Sequence, residues 1–137
     1  MKLNPYLNFN GQCAEAFALY EQCLGGKIEM MQTHGESPMK DRVPPAWHGK
    51  ILHAAMAYDG QLLMGSDVPP DRYEAPQGFA VSITVTREAE GQRIFQALGD
   101  RGKITMPFQP TFWSPGFGML VDRFGIPWIV NTATPVA

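Results

Sequence analysis

The most informative segment of the chain reads Phe-Gly-Met-Leu-Val-Asp-Arg-Phe-Gly-Ile-Pro-Trp-Ile-Val-Asn-Thr, residues 117–132. Two runs of β-forming residues, 117–121 and 126–132, flank a turn that ends in Gly125. Runs of this length are too short for buried helices, and glycine tolerates the positive φ that such a turn needs. The segment therefore predicts a β-hairpin. Because Pro127 has no amide donor, it belongs at a strand start or on a free edge.

The first half of the chain contains a comparable order of elements. The predicted elements are a strand at 3–9, a helix at 13–24, and strands at 27–33, 50–58 and 61–66. Apolar and polar residues alternate with period two in the first strand, whereas the helix has an apolar stripe at helical spacing. Gly25-Gly26 is a typical helix end, and Asp59-Gly60 is a typical hairpin turn.

The second half repeats this order up to the hairpin at 117–132. The predicted elements are a strand at 79–85, a helix that begins after Thr86, and a strand at 103–108. Thr86 is the expected N-cap of the helix. The apolar face of the helix consists of Ile94, Phe95 and Leu98, and Gly91 adds nothing to it.

Each half therefore reads as strand, helix and three strands. We predict an α+β fold in which paired βαβββ modules form a curved, partly closed mixed sheet with the helices outside. The chain, 1–137, is expected to be one domain, with modules at about 1–67 and 78–137 and a linker at 68–77. Two such modules would cover each other's sheet edges and leave a cleft between concave faces.

Composition and charge exclude several classes of protein. The 137 residues are 45% hydrophobic, which suffices for a compact interior. The net charge is −2 and no basic stripe is present, so we expect no nucleic-acid partner. No segment approaches the ~20 apolar residues that span a membrane, and no signal-peptide hydrophobic region is present. We therefore predict no membrane partner and a cytoplasmic location.

The two cysteines support the same location. Cys13 and Cys23 fall on one predicted helix, where ten residues span ~15 Å. A disulfide needs Cα atoms within ~7 Å, so the two thiols cannot pair within the chain. Free thiols fit a reducing compartment.

The segment 34–49 is rich in proline and polar residues and predicts a long loop. Two interpretations remain open. The loop is either a mobile lid over a pocket, or it is folded onto its module by Trp47.

Several motifs, in order along the chain, carry a resemblance to a known family. They are Pro5 to Gly11, Ala16-Phe17 with Tyr20, Leu24 to Gly26, His53-Ala54, Leu63 to Asp67, Phe112-Trp113, and Asp122 to Gly125 with Trp128. Together they resemble the PhnB-like branch of the vicinal oxygen chelate superfamily, which includes glyoxalase I, bleomycin-resistance proteins and extradiol dioxygenases. The resemblance implies the fold strongly and the chemistry weakly, because this superfamily hosts several reactions and some members that only bind.

The resemblance also implies where a metal would lie. Metal-binding members place a His, Gln or Glu on the first and fourth strand of each module, and these ligands hold a divalent ion. In this chain the first module has Pro5 on its first strand and residues 62–64 on its fourth. The second module has Ser82 and Thr84 on its first strand and Ile129 on its last. None of these is a metal ligand of useful affinity. We therefore predict no intact metal site and no cofactor.

Other side chains are candidates for a binding cleft. The predicted ligand-binding residues are His53, Met64, Trp113, Trp128 and Asn131. His53 is the candidate catalytic acid or base, although a structural histidine explains it as well. The aromatic residues, Phe112 among them, are either pocket walls or core. Gly116 and Gly118 form a Gly-x-Gly pair before a strand, which is the wrong context for a dinucleotide or S-adenosylmethionine loop.

These residues leave several hypotheses open. The first is a metal-free protein that binds a small molecule in the cleft. The second is an enzyme of lyase, isomerase or dioxygenase type that uses His53 as acid or base. The others are a sequestering protein of the bleomycin-resistance type and a metal-dependent member with atypical ligands. We also predict a homodimer joined through strand edges or first-module helices.

Overall fold

A computed structural model of the chain describes residues 1–134. Residues 135–137, the end of the predicted second module, lie outside the described part. The chain divides into two compact units, Met1–Glu74 and Ala75–Ala137. Each unit has the element order βαβββ and one four-stranded mixed sheet. The predicted α+β fold with paired βαβββ modules is confirmed.

The first unit contains one helix and four strands. Its elements are β1 (Tyr6–Phe9), α1 (Cys13–Leu24), β2 (Lys27–Thr33), β3 (Ile51–Tyr58) and β4 (Gln61–Asp67). The strand order is β1-β4-β3-β2, with β1 parallel to β4 and the other pairs antiparallel. The buried side chains of α1 include Phe17 and Tyr20, whose rings pack against Phe9 of β1.

Gly65 lets α1 lie close to the sheet. It pairs with Leu7 on one side and Ala54 on the other, under the helix. A Cβ atom on Gly65 would lie 2.9 Å from the Leu7 carbonyl oxygen and 2.9 Å from the Phe17 ring. The first of these contacts is with a backbone atom, which cannot rotate away as a flexible side chain can, so the clash would be costly to relieve.

We expect Gly65→Ala to lower the free energy of unfolding by about 1–3 kcal/mol, because the backbone of β1 at Leu7 and the Phe17 ring of α1 would both have to shift. The measurement is urea denaturation followed by circular dichroism. The matched control is Gly49→Ala, where a Cβ would meet nothing within 4 Å. Equal stability of the two variants would contradict the close approach of α1.

The second unit repeats this architecture. Its elements are β5 (Val81–Val85), α2 (Glu88–Gly99), β6 (Lys103–Gln109), β7 (Phe117–Val121) and β8 (Pro127–Thr132). The strand order is β5-β8-β7-β6, with β5 parallel to β8. Neither α1 nor α2 is long and apolar enough to cross a membrane, and residues 1–134 contain no other α-helix.

Two predictions about α2 were wrong. The N-cap is Arg87 rather than Thr86, and it makes no side-chain capping bond. Gly91 is buried on the same face as Ile94, Phe95 and Leu98. A Cβ there would lie 3.1 Å from Phe108 and 3.1 Å from Val85, so the missing side chain is what lets α2 approach the sheet.

Hydrogen bonds to one carboxylate stabilise the hairpin of β7 and β8. Asp122 Oδ1 accepts the amide N–H groups of Phe124 (2.8 Å) and Ile126 (3.0 Å). Its Oδ2 accepts the indole N–H of Trp128 at 2.8 Å. Gly125 has φ 90°, as the turn requires, and Pro127 begins β8. The predicted hairpin and the predicted place of its proline are confirmed.

The loop between β2 and β3 has regular structure. It forms three short 3-10 turns at His34–Glu36, Lys40–Arg42 and Pro45–Trp47. The His34 amide donates to the Lys50 carbonyl at 2.8 Å, and Lys50 Nζ donates to the Gly11 carbonyl at 3.0 Å. The Lys50 ammonium also lies 6.0 Å from the Trp47 ring centroid. These contacts favour the interpretation in which the Trp47 end of the loop is folded onto its own unit.

Cys13 and Cys23 are both buried. Burial, and then the negative charge of Asp67, raises the pKa of the Cys13 thiol far above its ordinary value. The thiol therefore stays protonated and unreactive at neutral pH, because the thiolate is the nucleophile.

We expect the native protein not to react with a disulfide reagent such as DTNB over the time in which the urea-unfolded chain reacts at both thiols. The reaction is measured by the absorbance of the coloured thiolate that the reagent releases. Rapid labelling of one thiol in the native protein would contradict the burial of α1.

Candidate functional site

The first sheet has one face that no helix of its unit covers. Leu7, Gly65 and Ala54 lie on the α1 side, and side chains alternate between the faces of a strand. The opposite face therefore carries their neighbours. We call it the first open face, and its central residues are Tyr6, Asn8, Met30, Gln32, His53, Ala55, Met64 and Ser66.

Tyr6 and His53 form the most specific contact on the first open face. The Tyr6 hydroxyl lies 3.1 Å from His53 Nδ1. The two rings are stacked, with centroids 5.7 Å apart and planes at 25°. The residues are 47 positions apart in sequence, and the sheet order, with β4 between β1 and β3, brings them together. Both side chains are at least partly accessible to solvent.

This pair leaves one imidazole nitrogen available. His53 Nε2 makes no hydrogen bond to any residue in 1–134. When the Tyr6 hydroxyl donates to Nδ1, the proton of the neutral ring lies on Nε2, which is then a donor. When Nδ1–H donates to the hydroxyl oxygen, Nε2 is an acceptor and a base. The arrangement can therefore bind a polar group or exchange a proton with it.

An apolar row lies beside this pair. Met30 pairs with Ala55, Ala55 with Met64, and Met64 with Tyr6. Met30 is half-exposed, and Ala55, between the two methionines in the register, is buried. Methionine side chains adapt to ligands of varied shape.

The second unit has a corresponding face. Gly118 lies under Phe95 of α2, so its strand neighbours Phe117 and Met119 point to the other side of the sheet. Phe117 pairs with Asn131, which in turn pairs with Thr84. The Asn131 Oδ1 atom is buried and has no hydrogen-bond partner among the described residues.

The aromatic residues of this unit have different positions. Trp113 is half-exposed and packs edge-on against Phe117, with ring centroids 5.2 Å apart. Phe112 is 97% exposed and packs edge-on against Trp113. Trp128 is 1% exposed on the α2 side of β8 and bonds to Asp122, which is a structural role.

The predicted ligand residues thus fall into three groups. His53 and Met64 share the first open face, Asn131 and Trp113 lie near Phe117 in the second unit, and Trp128 belongs to the interior. Tyr6 was missed. The alternation of the first strand does indicate that Tyr6, next to buried Leu7, points away from the helix. Its hydrogen-bond partner, His53, lies 47 residues later and cannot be identified from sequence spacing.

The positions implied for a metal carry weak ligands. Pro5 precedes β1, whose side chains on the first open face are Tyr6 and Asn8. The corresponding positions of the other three strands are Met64 and Ser66 in β4, Ser82 and Thr84 in β5, and Ile129 and Asn131 in β8. Within residues 1–134, no three His, Cys, Asp or Glu side chains lie close enough together to hold a metal ion.

Two βαβββ units, each with a mixed four-stranded sheet and one helix, are the architecture of the glyoxalase/bleomycin-resistance/dioxygenase superfamily. A member of that superfamily from Burkholderia phytofirmans has the same fold, with a TM-score of 0.64, 11% identity, and coverage of 94% of this chain and 97% of that one. More narrowly, the chain belongs to the family described as 3-demethylubiquinone-9 3-methyltransferase, whose model matches residues 1–131.

Individual relatives agree with this family. Protein YjdN of Escherichia coli is 36% identical over 139 residues, covering 96% of this chain and 95% of that protein. The crystal structure of PA1353 from Pseudomonas aeruginosa is 43% identical, with a TM-score of 0.90 over 98% and 99% of the two chains. A Bacillus cereus protein named as a PhnB protein and putative 3-demethylubiquinone-9 3-methyltransferase is 26% identical, with a TM-score of 0.79 over 97% and 100%. The predicted PhnB-like resemblance is confirmed.

Proposed function

We propose that this protein binds a small molecule on the first open face, with His53 as the main polar contact, and that it does so without the superfamily's metal centre. The single observation that carries the proposal is the Tyr6–His53 pair. A hydroxyl 3.1 Å from Nδ1 and a stacked phenol ring hold the imidazole at two points while Nε2 bonds to nothing in residues 1–134.

The surroundings of the pair support binding. Ligand sites combine apolar walls with a few placed polar groups. Here Met30 and Met64 supply apolar surface on either side of the buried Ala55, and Gln32 lies beside His53 in the register.

The proposal is tested with a fragment screen by thermal shift on the wild type and on His53→Ala. We expect several fragments to raise the melting temperature of the wild type, and the shifts to be lost or strongly reduced in His53→Ala. The control is Gln61→Ala, an exposed position at the start of β4 that should leave every shift unchanged. Fragments that stabilise His53→Ala as well as the wild type would contradict the proposed site.

The metal-free part of the proposal rests on the donor set of the four strands. Serine, threonine and asparagine side chains are weak ligands for Ni²⁺, Zn²⁺ and Mn²⁺ unless carboxylates or imidazoles join them. We expect dialysis against each ion, followed by elemental analysis, to give far less than one ion per chain. A stoichiometric ion would contradict this part and favour a metal-dependent member with atypical ligands.

The second candidate function is an enzyme. The family description and the name of the Bacillus cereus relative suggest methyl transfer, and the Tyr6–His53 pair suits an acid or base. The Gly116–Gly118 pair is not available to a methyl donor, because Phe95 of α2 packs on Gly118 and Phe108 lies against the Gly116 position. Calorimetric titration with S-adenosylmethionine, repeated at two temperatures, tests methyl transfer: micromolar binding would favour it, and absence of binding at both temperatures would count against it.

A further inference from the structure

The first open face is divided into a polar and an apolar row. In the polar row, His53 pairs with Gln32, and Ser66 pairs with Asn8. In the apolar row, two residues away on the same strands, Ala55 lies between Met30 and Met64. Two residues of a strand span ~6.6 Å. This is about the distance from the far edge of an aromatic ring to a functional group attached to it, so one small molecule can cover both rows.

The Tyr6 hydroxyl decides which kind of polar group suits His53. A phenol O–H is a stronger donor than a neutral imidazole N–H, and an imidazole nitrogen is a stronger acceptor than a phenol oxygen. On this ground we take the hydroxyl as the donor to Nδ1 across the 3.1 Å contact, which places the proton of a neutral ring on Nε2. Nε2 then offers a hydrogen and requires an acceptor.

We infer that the ligand is a small amphipathic molecule with an apolar ring or chain and, at one end, an oxygen acceptor such as a carboxylate or carbonyl. In this arrangement the acceptor receives the His53 Nε2–H, and the apolar part covers Met30, Ala55 and Met64. Tyr6 is a positioning residue that selects acceptors over donors. This inference rests on the proposed function and specifies its ligand.

The test uses three probes with protein carrying ¹⁵N-histidine and ¹³C-methyl methionine. Benzoate has both the ring and the acceptor, benzylamine has the ring with a donor, and acetate has the acceptor without a ring. In NMR titrations we expect benzoate to bind at least ~5-fold more tightly than either, because only benzoate makes both the hydrogen bond and the apolar contact. The imidazole nitrogens should report the Nε2–H tautomer.

The Tyr6→Phe variant separates positioning from packing. It keeps the ring that stacks on His53 and removes the hydroxyl. We expect the preference for benzoate over benzylamine to fall to about twofold or less, and the nitrogen shifts of His53 to show mixed tautomers. The matched control is Tyr58→Phe, because Tyr58 is exposed to the same 45% as Tyr6 and lies in the same unit. An unchanged preference in Tyr6→Phe would overturn the role of Tyr6.

The outcomes distinguish this inference from the proposed function. If benzylamine binds at the first open face as tightly as benzoate, the acceptor class is wrong while the binding site stands. If neither these probes nor fragments from the thermal-shift screen change the resonances of His53 and Met64, both fail.

Discussion

Replacing Asp122 with alanine is expected to lower the free energy of unfolding by about 3–5 kcal/mol, one of the largest effects of any single change in this chain. The carboxylate is 3% exposed and accepts two amide N–H groups of the turn and the indole N–H of Trp128. Alanine would leave these donors without their acceptor in the interior of the second unit. Urea denaturation followed by circular dichroism measures the loss.

Two further variants show whether the loss comes from these hydrogen bonds. Asp100→Ala removes an exposed carboxylate that pairs with Arg123, and it should cost less than about 1 kcal/mol. Trp128→Phe keeps most of the buried ring but removes the indole donor, so it should be destabilising by less than Asp122→Ala. If Asp122→Ala were as stable as Asp100→Ala, the result would contradict the stabilisation of the hairpin by Asp122.

Replacing Asp67 with alanine is expected to lower the free energy of unfolding by about 2–4 kcal/mol. Asp67, the last residue of β4, is 3% exposed. Its carboxylate accepts the amide of Cys13 at 2.9 Å and the amide of Ile51 at 2.8 Å. These are the first residues of α1 and β3, so one side chain joins three elements and satisfies two buried donors.

The matched control for this change is Asp71→Ala, an exposed aspartate in the same unit that should alter stability by less than about 0.5 kcal/mol. Because Ile51 lies two residues before His53, Asp67→Ala should also weaken benzoate binding in the fraction that remains folded. Wild-type stability of Asp67→Ala in urea would show that water replaces the carboxylate, contrary to its burial.

The fold could be predicted from the sequence because its signals are local. The hairpin at 117–132, the Asp59-Gly60 turn and the helix at 13–24 each depend on residues that are near one another in the chain. The errors have a physical cause. Gly91 was read by helix propensity, whereas its role depends on Phe108 and Val85 from other elements.

The site could be predicted only in part. The sequence singled out His53 because it is the one histidine of a predicted strand and lies in a family motif, and Met64 because it also lies in a family motif; both stay predictions as ligand-binding residues. Tyr6 was missed because its contact with His53 spans the intervening strand β4 and so depends on the strand order of the sheet. Trp128 was proposed from its residue type, and only its strand position reveals that it faces α2 rather than an open face. The homodimer, the cytoplasmic location and the absence of a metal stay predictions.

The most direct test of the binding site is an NMR spectrum of methionine methyl groups during titration with fragment hits from the thermal-shift screen. Met30 and Met64 lie on the first open face, whereas Met56 is buried on the α1 side of the same sheet and serves as the internal control. We predict that the methyl resonances of Met30 and Met64 shift with each bound fragment while that of Met56 stays in place. Shifts confined to other methionines would contradict a binding site on the first open face.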